Sequence, residues 1–312
     1  MDTVDVMIPV WRPDGRLEKC VEMLLKQSYP IRSITLILSV EENEEDGWVE
    51  RTGSRFKGVP GIAITKIKKQ DFNHGGTRHR WASERDGDIL LFMVQDAVPA
   101  DRKMLEHLVE ALKEPESAVA YGRHIPDGRC GPVETFTRYF TYPPAGRVKR
   151  RQDMEQYGID GCFTSNVCAA YRRDWYEKVG GFEQRILLSE DSVFAARALT
   201  QGASAIYAAD ARVVHSHRFS YKMQWRRNFD IGVVHKKYDS IFGGMAPTKR
   251  GARLIKETAG YLMRHGEAAC IPRLFSVSIV KAGAYIAGKH YRNIPKFLVK
   301  RWTLDKVYWE ET

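Results

Sequence analysis

The stretch GDILLFMVQDAVP, residues 87–99, is an almost unbroken apolar run that ends in a glutamine and an aspartate. A strand that is apolar along its whole length is typical of the buried centre of a parallel sheet. Pro99 closes the run, and a helix is predicted to follow around residues 102–113. The stretch therefore predicts a central strand whose polar end, Gln95 and Asp96, lies at the edge of a sheet.

Segments with similar patterns lie on both sides of this strand. Apolar runs predict further strands at VDVMIPV (4–10), SITLILSV (33–40), GIAITKIKK (61–69), SAVAYG (117–122) and ARVVHSH (211–217). Helical spacing predicts one helix within residues 12–30, and EDSVFAARALTQG predicts another that Gly202 stops. Strands that alternate with helices predict an α/β fold, with a mainly parallel sheet flanked by helices. Residues 124–165 are aromatic and are predicted to be loop-rich.

The positive charge of the chain is concentrated in its last third. From Arg212 to the end there are 20 Lys and Arg against 7 Asp and Glu, whereas the first 211 residues have 29 against 32. We therefore predict an α/β domain over residues 1–217, with a basic, aromatic and helical region over residues 218–312 that packs on it. Such a basic region favours an anionic partner, which could be a membrane surface, a nucleic acid or a phosphate-bearing substrate.

Several classes of protein are disfavoured by the sequence. The five cysteines are widely spread and include no CxxC pair, which argues against a disulfide framework or a zinc site and favours a reducing compartment. The N-terminal MDTVDVMIPV lacks the basic start and long apolar core of a signal peptide. The stretch nearest to a membrane span, LFSVSIVKAGAYIAG, is interrupted by Lys281, so no membrane-spanning helix is predicted.

Polar side chains directly follow several of the predicted strands. In open α/β sheets, ligands bind at the carboxyl ends of the strands. The residues at these ends are Trp11, Glu41, Glu42, Gln95, Asp96, His215 and His217. We expect them to converge on one binding site.

Three of these residues are candidate metal ligands. A carboxylate such as Asp96 binds Mg²⁺ or Mn²⁺, although an aspartate at this position is also a common turn residue. His215 and His217 would point to one face of a strand, and imidazole suits Mn²⁺ better than Mg²⁺. Each histidine could equally be an ordinary core or surface residue.

The tripeptide SED, residues 189–191, has two interpretations. Ser189 is a typical N-cap, and acidic residues in the first turn of a helix interact favourably with its dipole. Alternatively, one carboxylate is a general base that takes the proton of an acceptor hydroxyl. The spacing alone does not separate these interpretations.

The segment QDFNHGGTRHR, residues 70–80, follows a predicted strand and precedes a helix predicted to begin near Thr77. Glycine lets backbone amides approach a ligand closely, and a helix start presents unpaired N–H groups to an anion. Arg78 is a bidentate donor suited to phosphate. The segment indicates a site for a diphosphate or a sugar ring, and it matches neither the P-loop nor the dinucleotide fingerprint. A Gly-Gly pair alone is also common in ordinary turns.

Together these segments resemble the family 2 glycosyltransferases of the GT-A fold, and in particular the bacterial rhamnosyltransferases that build O-antigen, capsule and cell-wall polysaccharides. The matching stretches occur in family order from residue 4 to about residue 240. They are VMIPVWRP, FNHGGTRHRWA, ILLFMVQDAVP, NVCAAYRRDWYEKVGGF, SEDSVFAARALTQG and VVHSHRFSYKMQWRRNFDIGVVHKKY.

The resemblance implies an enzyme that transfers a sugar with inversion at the anomeric carbon. The donor it favours is dTDP-L-rhamnose, from which L-rhamnose would pass to a hydroxyl of a bacterial polysaccharide or a lipid-linked oligosaccharide. Asp96 would bind Mn²⁺ or Mg²⁺, with His215 or His217 as the later ligand. Asp191 would be the catalytic base, with Glu190 beside it. The nucleotide-sugar donor would be contacted by Pro9, Val10, Trp11, Glu41, Asn73, Gly75, Gly76, Thr77, Arg78 and Gln95.

Three departures from the family pattern concern this site. QDAV has one acid where the wider family has two or three, SVEENEEDG replaces a DSGSTDGT-like segment, and His79 stands where asparagine is usual. Alternative functions are transfer from another nucleotide sugar (UDP-galactofuranose or a UDP-hexose), sugar nucleotidyl transfer, or nucleic-acid binding. Nucleic acid is not expected as a partner, because binding it would leave the acids at the sheet edge unexplained.

The basic region has two interpretations as well. It could be a solvated helical face, or it could bind the anionic surface of a bilayer where lipid-linked acceptors reside. We favour the second, which predicts a cytoplasmic protein that is peripheral at the inner face of the cell membrane.

Overall fold

The computed structural model describes residues 1–42, 47–217, 219–242 and 250–310. Its strands are β1 (Val4–Val10), β2 (Ser33–Val40), β3 (Ile62–Lys68), β4 (Ile89–Met93), β5 (Val98–Pro99), β6 (Ser117–Ile125), β7 (Arg147–Lys149), β8 (Cys168–Arg172) and β9 (Ser204–Val214).

The helices of the first two thirds of the chain lie between these strands. They are α1 (Gly15–Leu25), α2 (Trp48–Phe56), α3 (His74–Ser83), α4 (Met104–Ala111), α5 (Pro132–Thr141), α6 (Arg151–Tyr157), α7 (Ile159–Cys162), α8 (Arg173–Val179) and α9 (Glu190–Thr200). The last third is helical, as predicted. Its helices are α10 (Tyr221–Lys237), α11 (Asp239–Phe242), α12 (Arg250–Arg264), α13 (Ile271–Lys289) and α14 (Lys296–Trp302).

The strands within the described residues form one mixed sheet in the order β3-β2-β1-β4-β8-β6-β9-β5, and β7 pairs with β9. β1 to β4 pair in parallel, and β8 runs antiparallel between β4 and β6. β6 is parallel to β9, whereas β5 and β7 are antiparallel to it. The predicted α/β fold with a mainly parallel sheet is confirmed.

The stretch at residues 87–99 forms the central strand that its composition predicts. Leu90 and Phe92 belong to the core on one face of the sheet, and Leu91 and Met93 belong to the core on the other. Because β4 lies between β1 and β8, apolar side chains are required on both of its faces. Its polar carboxyl end is therefore held at the rim of the sheet.

Some local predictions were wrong. Residues 124–165 contain α5, β7, α6 and α7, so half of this region is helical, and the antiparallel strand β8 was not predicted. The strand predicted at 211–217 is longer and earlier, and both histidines follow its end. Helix α3 begins at His74 instead of near Thr77, because the side chain of Asn73 caps it. Part of the SVEENEEDG segment, residues 43–46, lies outside the described residues, as does residue 218.

The helical region beyond residue 217 packs on the α/β domain. Phe229 and Val233 of α10 join the same core as Tyr171 and Phe194. A Cβ atom at Gly288 of α13 would collide with the backbone carbonyl of Phe229, so α10 and α13 cross at very short range. The exact boundary of the two regions at residue 217 stays a prediction.

One helix among the described residues, Ala268–Lys289, is long and apolar enough to cross a membrane, with a mean hydropathy of 1.3. Only 11% of its most apolar window is buried in the protein. Lys281 had argued against a membrane span in this stretch, yet by length and composition the helix qualifies. It leaves Phe275, Ile279 and Ile286 on one exposed face, with 50%, 70% and 59% of their surface accessible.

Candidate active site

The turn after β4 brings Asp96 to the rim of the sheet. The amide of Ala97 donates to the Val94 carbonyl at 3.1 Å, and the amide of Val94 donates to Val167 at 3.2 Å. These bonds fix the turn, and only 7% of Asp96 is exposed. The Arg16 guanidinium lies 3.0 Å from Asp96 Oδ2 and supplies a positive charge at this carboxylate.

Asp96, His215 and His217 are brought together, as predicted. Their ligand atoms all lie within 4.8 Å of one another. The two histidine Nε2 atoms are 2.9 Å apart. His215 Nε2 lies 3.6 Å from Asp96 Oδ1, and His217 Nε2 lies 3.5 Å from Asp96 Oδ2. Ligand atoms around one octahedral ion with bonds of about 2.1 Å are about 3 Å apart. The three residues therefore have the spacing and the donor types of a site for a divalent metal ion.

The protonation of the two histidines also suits a metal ion. Burial lowers the pKa of His215 well below its ordinary value, and burial lowers the pKa of His217 despite the opposing charge of Asp96. Both imidazoles are therefore neutral at physiological pH, which leaves ring nitrogens able to bind a metal. The amide of His215 donates to the Ile125 carbonyl at 3.0 Å, which positions the first histidine beyond the end of β9.

Asp191 lies in the first turn of α9, and both of its oxygens accept backbone hydrogen bonds. Asn166 N donates to Oδ2 at 3.0 Å, and Ser192 N donates to Oδ1 at 2.7 Å. Burial raises the pKa of Asp191 to about 7, and the charge of Glu190 adds to the rise. Ser189 occupies the predicted N-cap position with φ of 65°, but its side chain makes no cap hydrogen bond. A carboxylate with a pKa near neutrality is suited to general base catalysis.

Glu190 and Arg78 form a buried ion pair beside this base. Arg78 Nη1 lies 3.2 Å from Glu190 Oε1 and donates to the His74 carbonyl at 2.8 Å. Asn166 Nδ2 also donates to Glu190 Oε1, at 2.9 Å. Burial alone would raise the pKa of Glu190, but Arg78, His74 and Asn166 outweigh it and lower that pKa. Only 2% of Arg78 is exposed, and its predicted contact with the donor diphosphate stays a prediction.

The glycine pair of the QDFNHGGTRHR segment has a structural role that the sequence did not show. Asn73 Oδ1 accepts from the amides of both Gly75 and Gly76 at 3.1 Å, and the Asn73 amide donates to Thr77 Oγ1. A Cβ at either glycine would collide with the backbone carbonyl of Glu183 or Gln184. The glycines therefore let the loop that leads to Asp191 pack directly against α3. Their predicted contact with the donor stays a prediction.

A cleft of about 570 Å³ opens at the carboxyl ends of β2 and β3. Its walls include Glu41 and Glu42 after β2, His74 of α3, and Leu187 of the loop before Asp191. This volume lies within the usual range for small-molecule ligands and is adequate for a nucleotide sugar. Residues 304–307, far along the chain, form another part of the wall, which the sequence did not indicate.

The turn after β1 lies at the same rim of the sheet. The Trp11 amide donates to Gln95 Oε1 at 2.8 Å, and Gln95 Nε2 donates to the Trp11 carbonyl at 3.0 Å. Trp11 is 42% exposed, and the Lys69 ammonium lies 3.9 Å from its ring centroid. Pro9 and Val10 lie in β1, where Val10 is buried and Pro9 is partly exposed. Gln95 thus fixes the backbone of the turn that carries this exposed aromatic ring.

Two cations that were not assigned from the sequence also face the site. Arg227 of α10 is exposed and interacts electrostatically with Asp191, Glu190 and His217. Arg138 of α5 contacts His124 Nδ1 at 3.2 Å. Arg227 is therefore within electrostatic range of both the base and a histidine of the metal site. The basic run at residues 226–227 was visible in the sequence, but which arginine interacts with the site was not.

This fold and this rim define a glycosyltransferase of the GT-A type: a metal-ligand set, a carboxylate of near-neutral pKa and a nucleotide-sized cleft at the carboxyl ends of the strands. A family model described as Glycosyltransferase like family 2 matches residues 2–229. The chain belongs to this family of enzymes.

Individual relatives agree with this assignment. The chain is 30% identical over 311 residues to the O-antigen chain rhamnosyltransferase RfbN of Salmonella typhimurium, covering 98% of this chain and 96% of the relative. It is 33% identical over 250 residues to the O-antigen chain rhamnosyltransferase WbaN of Salmonella anatum, covering 79% and 78%. The resemblance to bacterial rhamnosyltransferases is thereby confirmed.

Solved structures share the fold. A mannosyltransferase, PcManGT from Pyrobaculum calidifontis in complex with GDP-Man and Mn²⁺, matches with a TM-score of 0.56 and 17% identity, covering 98% of this chain and 84% of the other. TarS of S. aureus in complex with UDP-GlcNAc matches with a TM-score of 0.52 and 12% identity, covering 93% and 92%.

Proposed function

We propose that the protein transfers L-rhamnose from dTDP-L-rhamnose, with inversion, to a hydroxyl of a growing O-antigen or of a related lipid-linked oligosaccharide. The donor and the acceptor class are supported by the names of the two Salmonella relatives, at 30% and 33% identity. The chemistry is supported by one observation above the others, which is the buried carboxylate of Asp191, with its pKa of about 7 and with Arg227 in electrostatic range of both it and His217.

The base acts at the acceptor. Asp191 takes the proton of the acceptor hydroxyl while that oxygen forms a bond to the anomeric carbon of the sugar. The bond between this carbon and the diphosphate oxygen breaks at the same time, and its electron pair leaves with the diphosphate. The two backbone donors, Asn166 and Ser192, hold the carboxylate in one orientation, so little reorganisation is needed during the reaction.

Fixed positive charge stabilises the leaving diphosphate. A divalent ion held by Asp96, His215 and His217, which we propose to be Mn²⁺ in preference to Mg²⁺, would neutralise charge on the phosphate oxygens. Arg227 lies within electrostatic range of both clusters and faces the same region. We assign to Arg227 a contact with the diphosphate, where it stabilises charge that develops in the transition state.

We further propose that the protein is cytoplasmic and docks on the inner face of the cell membrane. The buried face of α13, which includes Leu274 and Ala284, packs against the protein, while its other face is apolar and exposed. Because α13 is apolar on both faces, its exposed face has apolar side chains that pack against no part of the described protein. Lysines and arginines of the same region would attract anionic lipid headgroups to that side.

The proposed donor is tested by a thermal-shift panel with Mn²⁺ and dTDP-L-rhamnose, UDP-galactofuranose or UDP-glucose. A ligand that binds only the folded state raises its melting temperature, and the true donor should give the largest rise. The strongest ligand then enters a single-turnover assay with a lipid-linked acceptor, and the anomeric configuration of the product is determined by NMR. A larger shift with a UDP-sugar would replace rhamnose, and retention of configuration would exclude direct displacement.

A further inference from the structure

A second cavity, of about 290 Å³, lies in the C-terminal region. Among its walls are four cationic side chains and two aromatic rings: Lys237, Arg292, Lys296, Lys300, Tyr291 and Trp309. They come from the end of α10, the turn after α13, helix α14 and the last described residues of the chain. Four separate segments therefore bring positive charge and aromatic surface to one place.

The cavity is strongly positive. No Asp or Glu is among its lining residues in the described part of the chain, and Glu310 Oε1 lies 3.9 Å from Lys300 Nζ. Lys237 Nζ donates to the hydroxyl of Tyr308 at 2.7 Å, which is a neutral partner. Burial lowers the pKa of Lys237, and the charges of Arg185 and Arg292 lower it further. An anion would relieve this repulsion between cations.

The chemistry of the walls specifies the kind of anion. Lysine and arginine side chains are strong donors to phosphate oxygens, and an indole N–H can only donate. Trp309 Nε1 is buried and donates to no partner among the described residues. The cavity has half the volume of the cleft at the sheet rim, so it suits a phosphate headgroup better than a nucleotide sugar.

The surroundings of the cavity indicate that the phosphate belongs to a lipid. Ile294 lines the cavity, and Phe297 of α14, next to Lys296, is 70% exposed. An exposed aromatic residue beside a cationic cavity is the arrangement expected where a headgroup is bound and an acyl or prenyl chain remains in the bilayer.

We propose that this cavity binds the terminal phosphate of a membrane lipid. General attraction between basic residues and anionic lipids depends only on the surface charge of the bilayer, whereas a phosphate site recognises the phosphomonoester itself. The proposal does not depend on the identity of the sugar that the enzyme transfers.

The full chain is mixed with phosphatidylcholine vesicles that contain phosphatidic acid or, at matched surface charge, phosphatidylglycerol. We expect binding to phosphatidic acid to be stronger by about tenfold, the size expected for one additional charge-assisted hydrogen bond. The variant K296A/K300A should lose this preference. The control K222A/K256A removes the same charge from exposed residues outside the cavity, so it should weaken binding to both vesicles and keep the preference.

Equal binding of the unmodified protein to both vesicles would overturn the proposal, and so would loss of the preference in K222A/K256A. If K296A/K300A melts at a lower temperature, the single variant K300Q replaces it in the same comparison. Inorganic diphosphate is added without vesicles as a separate arm. The unmodified protein could bind diphosphate and K296A/K300A fail to bind it, while the unmodified protein binds the two kinds of vesicle equally. That pair of results would assign the cavity to a soluble phosphate compound and overturn the lipid source.

Discussion

The rim of the sheet and the C-terminal region are both rich in charge, but they hold it in different ways. At the rim, Asp96, Arg78 and Glu190 are buried, and each charged group has a partner at a defined distance. In the C-terminal region, residues such as Lys222 and Lys256 are exposed. Buried charges are strong and specific because little water screens them, whereas exposed charges are weak and act by their number.

This difference predicts that single substitutions of charged residues that face the rim lower activity strongly, whereas single substitutions of exposed lysines in the C-terminal region, outside its cavity, change membrane binding by small, similar steps. The following experiments test this contrast, from the largest expected effect to the smallest.

Asp191→Asn should lower kcat by about 10³-fold, because removal of a general base costs about 10² to 10⁴ in rate. Binding of the nucleotide sugar should change little, since the base acts at the acceptor. Single-turnover kinetics and calorimetric donor binding measure the two effects. Asp174→Asn, a surface aspartate paired with Arg172, is the control and should be near normal. Normal turnover in Asp191→Asn would remove Asp191 as the base.

Removal of the metal site should lower activity by on the order of 10²-fold, because the charge of the leaving diphosphate would lose its main counter-charge. EDTA should suppress the reaction, and Mn²⁺ should restore it. Asp96→Asn should weaken Mn²⁺ binding in electron paramagnetic resonance titrations, whereas Asp101→Asn should not. Full activity in EDTA would show that the single acid of the QDAV motif no longer holds a catalytic metal.

Arg227→Met should lower kcat by about 10- to 100-fold, because one fixed donor to the developing charge is lost. The neighbouring Arg226→Met changes the same residue type on the same helix and should have a much smaller effect. Steady-state kinetics with varied donor separates kcat from KM. Equal losses in the two variants would mean that the basic run of α10 acts through its total charge, as the exposed lysines of the C-terminal region are expected to do.

Activity should depend on pH through Asp191. The pKa of this carboxyl is about 7 in the folded enzyme, so the base is protonated below that value and kcat should fall about tenfold per pH unit there. Folding disfavours the ionised form of Asp191. The contribution of this group to the free energy of unfolding is therefore present at low pH and is lost as the pH rises through about 7. Asp191→Asn should therefore melt higher than the unmodified protein at pH 8 and show a smaller difference at pH 5.

The smallest effects are expected in the C-terminal region. One lysine near an anionic surface contributes about 1 kcal/mol, so Lys222→Ala should weaken binding to phosphatidylglycerol vesicles by about fivefold at most. Turnover of a water-soluble acceptor should be unchanged. Sedimentation with vesicles at low and high salt measures the effect, since screening should release the protein at high salt. Equal binding to neutral vesicles would contradict the electrostatic part of membrane docking.

Much of this molecule follows from local sequence. Apolar runs and helical spacing predict β1 to β4 and helix α1, because burial on one or two faces imposes a pattern on the chain, whereas helix α2 was not predicted. The rule that ligands bind at strand ends was sufficient to group Asp96 with His215 and His217, although these histidines are more than 110 positions away in the sequence. The antiparallel β8 was not predicted, because its short apolar run carries no signal of direction.

Only the tertiary structure decided which side chains meet. Sequence assigned Gly75 and Gly76 to ligand binding, yet their immediate neighbours are the carbonyls of Glu183 and Gln184. The pKa of Asp191, the electrostatic interaction of Arg227 with Asp191 and the presence of residues 304–307 in the cleft wall all depend on segments that are distant in the chain. Local sequence determines the period and the caps of each element, whereas charge, burial and cavity shape arise from contacts between elements.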